Sequence, residues 1–239
     1  MHHLFDLTGK VALVTGGGRG LGRGMALALA GAGADLVLVS RTASELEAVA
    51  AEARKLGRRA LPVPLDLTVP GNIDRMVQAA LEEFGKIDIL VNNAGTNVRK
   101  PALEITAEEW ERVVALNLRA AFFVAQAVGR TMIERRQGKI INTASLTSEI
   151  GIANVSVYGC TKGGIRQMTR ALALEWAPYH INVNAIGPGY FKTSMTRAVF
   201  EDPERRRWIE SRIPWGRTGT PDDLAGAVIF LAAPASDYI

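Results

Sequence analysis

Six short apolar runs, separated by longer segments with helical spacing, constrain this chain more than any other feature. The runs lack sustained polar alternation, as expected for strands that are covered on both faces. Strands that alternate with helices predict a parallel, doubly wound α/β sheet in three layers, with right-handed crossovers and no linker. The predicted strands are Val11–Thr15, Leu36–Val39, Ala60–Leu65, Ile87–Val91, Lys139–Thr143 and Ile181–Ala185. The predicted helices are 20–31, 43–56, 71–84, 106–133, 156–177 and 221–232.

The composition limits the function classes. With 239 residues, 48% of them hydrophobic and 22% charged, the chain is long enough for one large core, so we expect a single domain over 1–239. Its net charge of +4 is scattered, which indicates a solvated basic surface and no nucleic-acid partner. No unbroken apolar run reaches about 18 residues and no signal peptide is evident, so we expect a cytoplasmic protein and no membrane partner. The single cysteine and the spacing of His2, His3 and His180 predict no disulfide and no metal site.

A glycine-rich loop, T-G-x-x-x-G-x-G from Thr15 to Gly22, joins the first predicted strand to the first helix. Glycines let a backbone turn tightly and approach a ligand, and the N-terminus of the next helix offers N–H groups to a pyrophosphate. The literal G-x-G-x-x-G pattern is not met, and a simple tight turn is the alternative. The position within the first βαβ unit favours a dinucleotide site. The loop residues expected to bind it are Gly16, Gly18, Arg19, Gly20, Leu21 and Gly22.

The end of the second strand distinguishes the two nicotinamide cofactors. A carboxylate there would bind the ribose 2′-hydroxyl of NAD. This chain has Ser40 and Arg41 instead, while Asp35 lies at the other end of the strand. Arg41, with Arg19 nearby, can pair with a 2′-phosphate, although both can also be ordinary surface arginines. We therefore expect NADP(H) rather than NAD(H).

Further motifs complete a specific pattern: Asn92-Asn93-Ala94-Gly95, Asn117, Ser145 thirteen residues before Tyr158, and Tyr158-x-x-x-Lys162. With the glycine loop, they make the chain resemble the short-chain dehydrogenase/reductase family over essentially its whole length. The resemblance implies a Rossmann-type, seven-stranded fold, usually in a homotetramer, that uses NAD(P)(H) to interconvert alcohols and ketones. Family members usually continue with a last strand, but nothing follows Ile239. The sequence therefore predicts that this strand is missing, through truncation or an unusual tail.

The same resemblance assigns site residues at the matching positions. The implied catalytic set is Asn117, Ser145, Tyr158 and Lys162, with Tyr158 and Lys162 also touching the cofactor. The remaining implied cofactor contacts lie beside the adenosine half (Asn92, Asn93, Ala94, Gly95), at the adenine (Asp66, Leu67) and at the nicotinamide end (Pro188, Gly189, Phe191, Thr193).

The residue types suit the reduction of a ketone. Tyr158 and Lys162 are four apart and share one helix face, so the lysine cation is expected to lower the phenol pKa from about 10. Ser145 follows the fifth strand, where its hydroxyl can hold the substrate oxygen. Asn117 is either a core asparagine that stabilises a kink or, on the family pattern, a residue that holds a water beside Lys162. Cys160 is expected to be a small, buried packing residue on the back of the helix.

The segment after the sixth strand predicts a substrate lid at about 190–216. It resembles the gluconate 5-dehydrogenase and 2-deoxy-D-gluconate 3-dehydrogenase branch, which acts on sugar acids. We therefore expect interconversion of gluconate and 5-ketogluconate; the alternatives are a 3-oxoacyl-[acyl-carrier-protein] reductase and, less favoured, a non-catalytic NADP-binding sensor. The candidate cations for a substrate carboxylate are Arg99, Lys100, Lys192, Arg197 and Arg212, each of which can also be a solvated surface charge.

Overall fold

A parallel sheet organises the chain, whose computed structural model describes residues 2–193, 196 and 200–239. Its strands are β1 Val11–Thr15, β2 Asp35–Ser40, β3 Ala60–Pro64, β4 Ile89–Asn92, β5 Gly138–Thr143 and β6 Ile181–Ile186. They lie in the order β3-β2-β1-β4-β5-β6, and every neighbouring pair is parallel. The predicted doubly wound α/β fold is confirmed. In the part of the chain that the structure describes, the sheet has six strands and not the seven that the family resemblance implies.

Helices cover both faces of this sheet. They are α1 Gly20–Gly31, α2 Ala43–Lys55, α3 Asn72–Phe84, α4 Ala107–Val114, α5 Ala121–Arg135, α6 Ser156–Trp176, α7 Pro203–Glu210 and α8 Ala225–Ala232. The predicted helix 106–133 begins with the expected capping box at Thr106, but a π-helical turn, Ala115–Ala120, separates α4 from α5. The predicted helix 221–232 begins with a 3₁₀ turn, Pro221–Leu224, before α8.

The inner strands β1, β2, β4 and β5 show no sustained polar alternation because both of their faces are covered, whereas the edge strand β6 alternates Ile181-Asn182-Val183-Asn184. Val11 and Leu13 of β1 point into a core under α3, α5 and α6, while Ala12 and Val14 point into a second core under α1, α2 and α8. Successive side chains of a strand alternate between faces, so a strand between two helix layers must be apolar on both.

One helical run, Ala107–Arg135, is long and apolar enough to cross a membrane by length and composition alone. Core helices pass the same test, and Val124, Val128 and Met132 of this run are buried against the sheet.

The carboxyl ends of β1, β4, β5 and β6 meet at one edge of the sheet. The strand order reverses between β1 and β4, and in open α/β sheets such a switch point opens a crevice where ligands bind. The glycine loop follows β1, the Asn93 segment follows β4, Ser145 follows β5 and Pro188 follows β6. The fold therefore brings the motifs of four distant segments to one edge.

Backbone hydrogen bonds join the start of the predicted lid segment to Gly219, just after its end. Gly219 N donates to Tyr190 O (2.9 Å), Lys192 N donates to Gly219 O (3.0 Å), and Phe191 pairs with Gly219 as a short parallel bridge. Helix α7 lies between these two ends. Residues 194, 195 and 197–199 of the predicted lid lie outside the described residues.

At the opposite edge of the sheet, a buried carboxylate ties β1 to the helix layer. Asp88 is 4% exposed, and its carboxylate accepts a hydrogen bond from Val11 N (2.9 Å). It also forms an ion pair with Lys86 (3.0 Å) and accepts a hydrogen bond from Arg135. Because a buried carboxylate is stable only when it is paired and hydrogen-bonded, this cluster fixes the start of β1.

Replacing Asp88 with alanine leaves the Val11 N–H without its acceptor. We expect the free energy of unfolding, measured by urea denaturation, to fall by about 1–3 kcal/mol. The control is Glu83→Ala, which removes the partner of Arg59 in an exposed ion pair and is expected to cost less than about 1 kcal/mol. Equal losses in both variants would show that the cluster does not hold β1.

Candidate active site

The glycine loop has a backbone that side chains would not allow. Gly16 and Gly20 have φ angles of +65° and +56°, in the left-handed region that glycine adopts at little cost. A Cβ at Gly22 would lie 2.1 Å from Gly16 O, so only glycine fits there. Helix α1 begins at Gly20, and its first N–H groups therefore face the cradle that the loop forms.

Thr15 fastens this loop to the segment after β4. Its hydroxyl oxygen accepts hydrogen bonds from Asn93 N (2.9 Å) and Ala94 N (3.0 Å), and Asn93 Nδ2 donates to Thr15 O (3.0 Å). Asn92, buried behind them, donates to Ala121 O at 2.7 Å. The role of Thr15 is not predicted from the sequence, although its place as the first residue of the T-G-x-x-x-G-x-G motif marks it.

The end of β2 contains a buried hydroxyl that fits a phosphate ligand. Ser40 Oγ has no hydrogen-bond partner among the described residues and lies beside Gly18, where a Cβ would come within 3.2 Å of it. Two exposed arginines flank this point in long ion pairs, Arg41 with Asp66 at 3.9 Å and Arg19 with Glu45 at 3.5 Å. An unpaired buried donor beside loosely paired guanidinium groups suits a phosphate next to the glycine cradle.

The Asp66-Leu67 segment is held in a fixed turn. Asp66 Oδ1 accepts from Thr68 N (2.9 Å) and from the Thr68 hydroxyl (2.7 Å). The bond from the Thr68 hydroxyl is the main reason that the pKa of Asp66 lies below its usual value. Leu67 is buried in the core, which anchors the turn at the end of β3.

The segment after β6 spans the crevice from the fifth strand to the glycine loop. Pro188 O accepts from Leu146 N (3.0 Å), next to Ser145. Further along, the side chain of Thr193 lies over the glycine loop, 3.6 Å from where a Cβ on Gly20 would be. Phe191 packs on Gly219, where a Cβ would approach its ring to 2.6 Å.

Lys162 is the most deeply buried charge-bearing group of the site. It is 4% exposed, its Nζ donates to Thr143 O (2.5 Å), and it lies 5.6 Å from the centroid of the Tyr158 ring. Burial disfavours the charged form and lowers the pKa of Lys162 from 10.5 to about 8. The amine is therefore still mostly charged at neutral pH, close to its titration point.

Tyr158 lies one helical turn before Lys162, near the start of α6. Burial raises the pKa of its phenol, and the nearby Ser145 hydroxyl offsets part of that effect. The expectation that Lys162 lowers this pKa is wrong for the protein alone. Lys162 faces the ring and binds the Thr143 carbonyl, so the loss of water around the phenol is the larger effect.

Ser145 is positioned by a short 3₁₀ turn, Leu146–Ser148, which it caps. Its Oγ accepts from Thr147 N (3.1 Å), and its own N–H donates to Ser148 Oγ (3.2 Å). Ser148 in turn donates to Lys162 O (2.9 Å) and so links the Ser145 turn to α6. Ser148 is a second residue that the sequence pattern does not reveal.

Asn117 lies in the π-helical turn and is 1% exposed. Its side chain exchanges two hydrogen bonds with the backbone of Thr96 (2.7 and 2.8 Å) and donates to Thr161 Oγ1 (3.2 Å). Thr161 Oγ1 donates to Tyr158 O at 2.8 Å. The amide therefore joins the loop after β4 to the tyrosine helix, the structural role considered for a core asparagine at a helix irregularity.

A cavity of about 1140 Å³ is lined by Leu146, residues 150–153, the segment 189–191 and residues of the α7 region, and it borders the predicted catalytic residues without having them in its lining. Of the predicted cations, Arg99 and Arg212 line it. Lys100 is instead paired with Glu109 (2.6 Å), Lys192 is not among the lining residues, and Arg197 lies outside the described residues. Two arginines line the cavity without having been predicted, Arg205 and Arg217.

Cys160 is exposed, so the prediction that it is buried is wrong. The buried residues of α6 include Val157, Thr161 and Ile165, and Cys160 lies beside that stripe rather than within it. Among the neighbouring glycines, Gly164 does permit a close approach, since a Cβ there would be 3.0 Å from the Leu118 side chain of the π-helical turn.

Comparisons with known proteins agree with this geometry. The sequence model of the short chain dehydrogenase family matches residues 10–204. The 5-keto-D-gluconate 5-reductase of Escherichia coli (strain K12) is 40% identical over 239 residues, which is 100% of this chain and 94% of the relative. The 2-dehydro-3-deoxy-D-gluconate 5-dehydrogenase of the same organism is 46% identical over 238 residues, 98% of this chain and 92% of the relative.

Solved structures give the same result. A gluconate 5-dehydrogenase from Burkholderia cenocepacia J2315, in complex with NADP and tartrate, superposes with a TM-score of 0.95 at 39% identity and covers 100% of this chain and 93% of its own. Levodione reductase superposes with a TM-score of 0.92 at 36% identity, over 98% and 94% of the two chains. This chain therefore belongs to the short-chain dehydrogenase/reductase family and is an oxidoreductase that acts on CH–OH groups.

Proposed function

We propose that this protein interconverts D-gluconate and 5-keto-D-gluconate with NADP(H). The observation that carries the proposal is the placement of the Tyr158 phenol near the Ser145 hydroxyl and beside buried Lys162, next to a cavity whose wall contains Leu146, the residue after Ser145, and several arginines. The pair suits proton transfer to a carbonyl oxygen, and the arginines suit an acidic substrate. Names of relatives support the substrate class, since two of them specify 5-keto-D-gluconate and 2-dehydro-3-deoxy-D-gluconate.

In this proposal, NADPH when bound supplies the hydride, and the chain handles the proton. The hydroxyls of Ser145 and Tyr158 hold the substrate oxygen. Because burial raises the pKa of Tyr158, the phenol keeps its proton at neutral pH and can donate it as negative charge develops on that oxygen. For the oxidation, the Lys162 cation, 5.6 Å from the centroid of the Tyr158 ring, and the N-terminus of α6 offset part of the cost that burial imposes on the phenolate.

Asn117 is proposed to act in the same proton path. Its amide is committed to Thr96 and Thr161, so its contribution is to hold the π-helical turn next to Lys162, where a relayed water would be bound. In this proposal Asn117 is a positioning residue for the water beside Lys162.

We propose that separate groups of the predicted residues bind separate parts of the cofactor. Gly16–Gly22 with the start of α1 take the pyrophosphate; Asp66, Leu67 and Asn92–Gly95 take the adenosine half. Pro188–Thr193 and Lys162 take the nicotinamide end. Preference for NADP is proposed from Ser40 and Arg41, and the NADP bound to the Burkholderia cenocepacia relative supports it.

We further propose a cytoplasmic homotetramer, as the family resemblance implies. Exposed aromatic side chains on the surface of α4 and α5 suit subunit packing, namely Trp110, Phe122 and Phe123. Residues 190–216 are proposed to form the substrate lid, and the chain to act as one domain.

The substrate proposal is tested by steady-state assays with a panel of keto acids, neutral ketones and acetoacetyl thioesters, with NADPH and with NADH. We expect reduction of 5-keto-D-gluconate. Tyr158→Phe should lower kcat by about 10²–10⁴-fold, because the proton donor is lost, and leave NADPH binding intact. Tyr179→Phe, an exposed tyrosine away from the site, is the matched control and should keep full activity.

Two results would overturn this proposal. Activity confined to acyl thioesters would favour the 3-oxoacyl-[acyl-carrier-protein] reductase alternative. A fully active Tyr158→Phe enzyme would remove the proton-transfer role of the phenol.

Cofactor preference is tested by equilibrium binding of NADP⁺ and NAD⁺. Arg41→Ala removes a cation that we place at the 2′-phosphate, so the Kd for NADP⁺ should rise roughly 10–100-fold while that for NAD⁺ stays unchanged. Arg54→Ala, which breaks an exposed ion pair with Glu47 on α2, should change neither Kd. Tighter binding of NAD⁺ than NADP⁺ by the unaltered enzyme would contradict the assignment of Ser40 and Arg41.

A further inference from the structure

We propose that Arg205 of helix α7 determines specificity for acids by binding the substrate carboxylate together with Arg99, which approaches the cavity from the loop after β4. The inference rests on the proposed function, since it assigns the acidic end of that substrate to a place in the same cavity. It separates Arg205 from its two neighbours in the run Arg205-Arg206-Arg207, which the sequence alone does not distinguish.

Helix α7 presents Arg205 to the cavity. Asp202 caps the helix, and its Oδ1 accepts from Glu204 N (2.9 Å) and Arg205 N (3.1 Å), which fixes the first turn. Ile209, one turn after Arg205, is 1% exposed and lines the same cavity, so Arg205, although solvent-exposed, lies on the cavity face of α7. Arg206 instead pairs with Glu210 at 2.9 Å and is not a lining residue.

Arg99 and Arg205 are close enough to affect each other's charge. Burial, and after it the positive charge of Arg205, lowers the pKa of the Arg99 guanidinium. Within the described residues, neither arginine forms an ion pair with a carboxylate of this chain. Two like charges that face one cavity repel each other, and a carboxylate placed between them would relieve the repulsion and form charge-assisted hydrogen bonds with both.

The other cations of the cavity are already engaged. Arg217 makes a bidentate ion pair with Asp223, with both contacts at 2.8 Å. Arg212 stacks on Trp208, with its guanidinium carbon 3.8 Å from the ring centroid. Besides Asp223, two acidic residues line the cavity, Asp202 and Glu204, and both lie at the start of α7. The Asp202 carboxylate accepts hydrogen bonds from N–H groups of the first turn.

The cavity that these two arginines line also borders the proposed reacting end. Its lining includes Leu146, directly after Ser145, and Gly189 of the segment after β6. A chain-like acid can therefore lie with its ketone at Ser145 and Tyr158 and its carboxylate between the two arginines. A neutral ketone would not relieve the repulsion between the Arg99 and Arg205 guanidinium groups.

The test compares Arg205→Gln with Arg206→Gln, two changes that remove the same charge from adjacent positions. In the reduction of 5-keto-D-gluconate with saturating NADPH, Arg205→Gln should raise KM about 10–100-fold and change kcat less than about threefold. Arg206→Gln should leave both constants within about twofold of the unaltered enzyme. Arg205→Lys, which keeps the charge but not the fork of donors, should fall between them.

Inhibition by tartrate, a carboxylate probe, gives an independent readout. Its inhibition constant should rise in Arg205→Gln and stay unchanged in Arg206→Gln. If the unaltered enzyme reduces the keto acid and the two glutamine variants behave alike, the assignment of Arg205 is wrong while the proposed function stands. If the unaltered enzyme reduces only neutral ketones or thioesters, the proposed function itself fails, and the Arg205 assignment with it.

Discussion

The buried amine of Lys162 is the contact on which the site depends. Its bond to Thr143 O joins α6 to the carboxyl end of β5, where we propose that the substrate lies. The Lys162 carbonyl also accepts from Ser148, which orients Ser145. One residue thus fixes the relative position of the Tyr158 helix and the Ser145 turn, at the cost of placing a charge where water is largely excluded.

The rest of the crevice is assembled by polar side chains that bind backbone groups of other loops. Thr15 holds the segment after β4 against the glycine loop, and Asn117 holds Thr96 and, through Thr161, the tyrosine helix. Such bonds set the geometry before any ligand arrives, which is the condition under which electrostatic stabilisation is effective. They also tie together the segments that hold the Ser145 and Tyr158 hydroxyls, which are the proposed proton-transfer groups.

The sequence predicts the architecture well because it depends on local patterns. Short apolar runs identify the ends of the strands to within one or two residues. The spacing of Tyr158 and Lys162 correctly places both residues on one helix, α6. The failures concern properties that depend on tertiary surroundings. The π-helical turn at Asn117 interrupts a helix that the sequence pattern predicts to be continuous. Lys100 forms an ion pair with Glu109, and Cys160 lies just outside the buried stripe of α6.

The direction of the Tyr158 pKa is the most instructive of these failures. A nearby lysine predicts a lower pKa, but burial acts on both groups and favours their neutral forms. Likewise, three consecutive arginines look equivalent in the sequence, and only the placement of α7 against the cavity shows that Arg205 lines it. Both results depend on tertiary surroundings that no spacing rule encodes.

The central claim, that Lys162 is held in its buried place at a cost in stability, is tested most directly by the pH dependence of unfolding. With a folded-state pKa near 8 instead of 10.5, the folded chain binds this proton less tightly than the unfolded chain, so the stability of the unaltered protein rises with pH between those values. Lys162→Met should therefore be more stable than the unaltered protein at pH 7, by about 1–3 kcal/mol, and the difference should shrink as pH rises above 8. A variant that is less stable at pH 7, or a difference that does not change with pH, would contradict this account of the site.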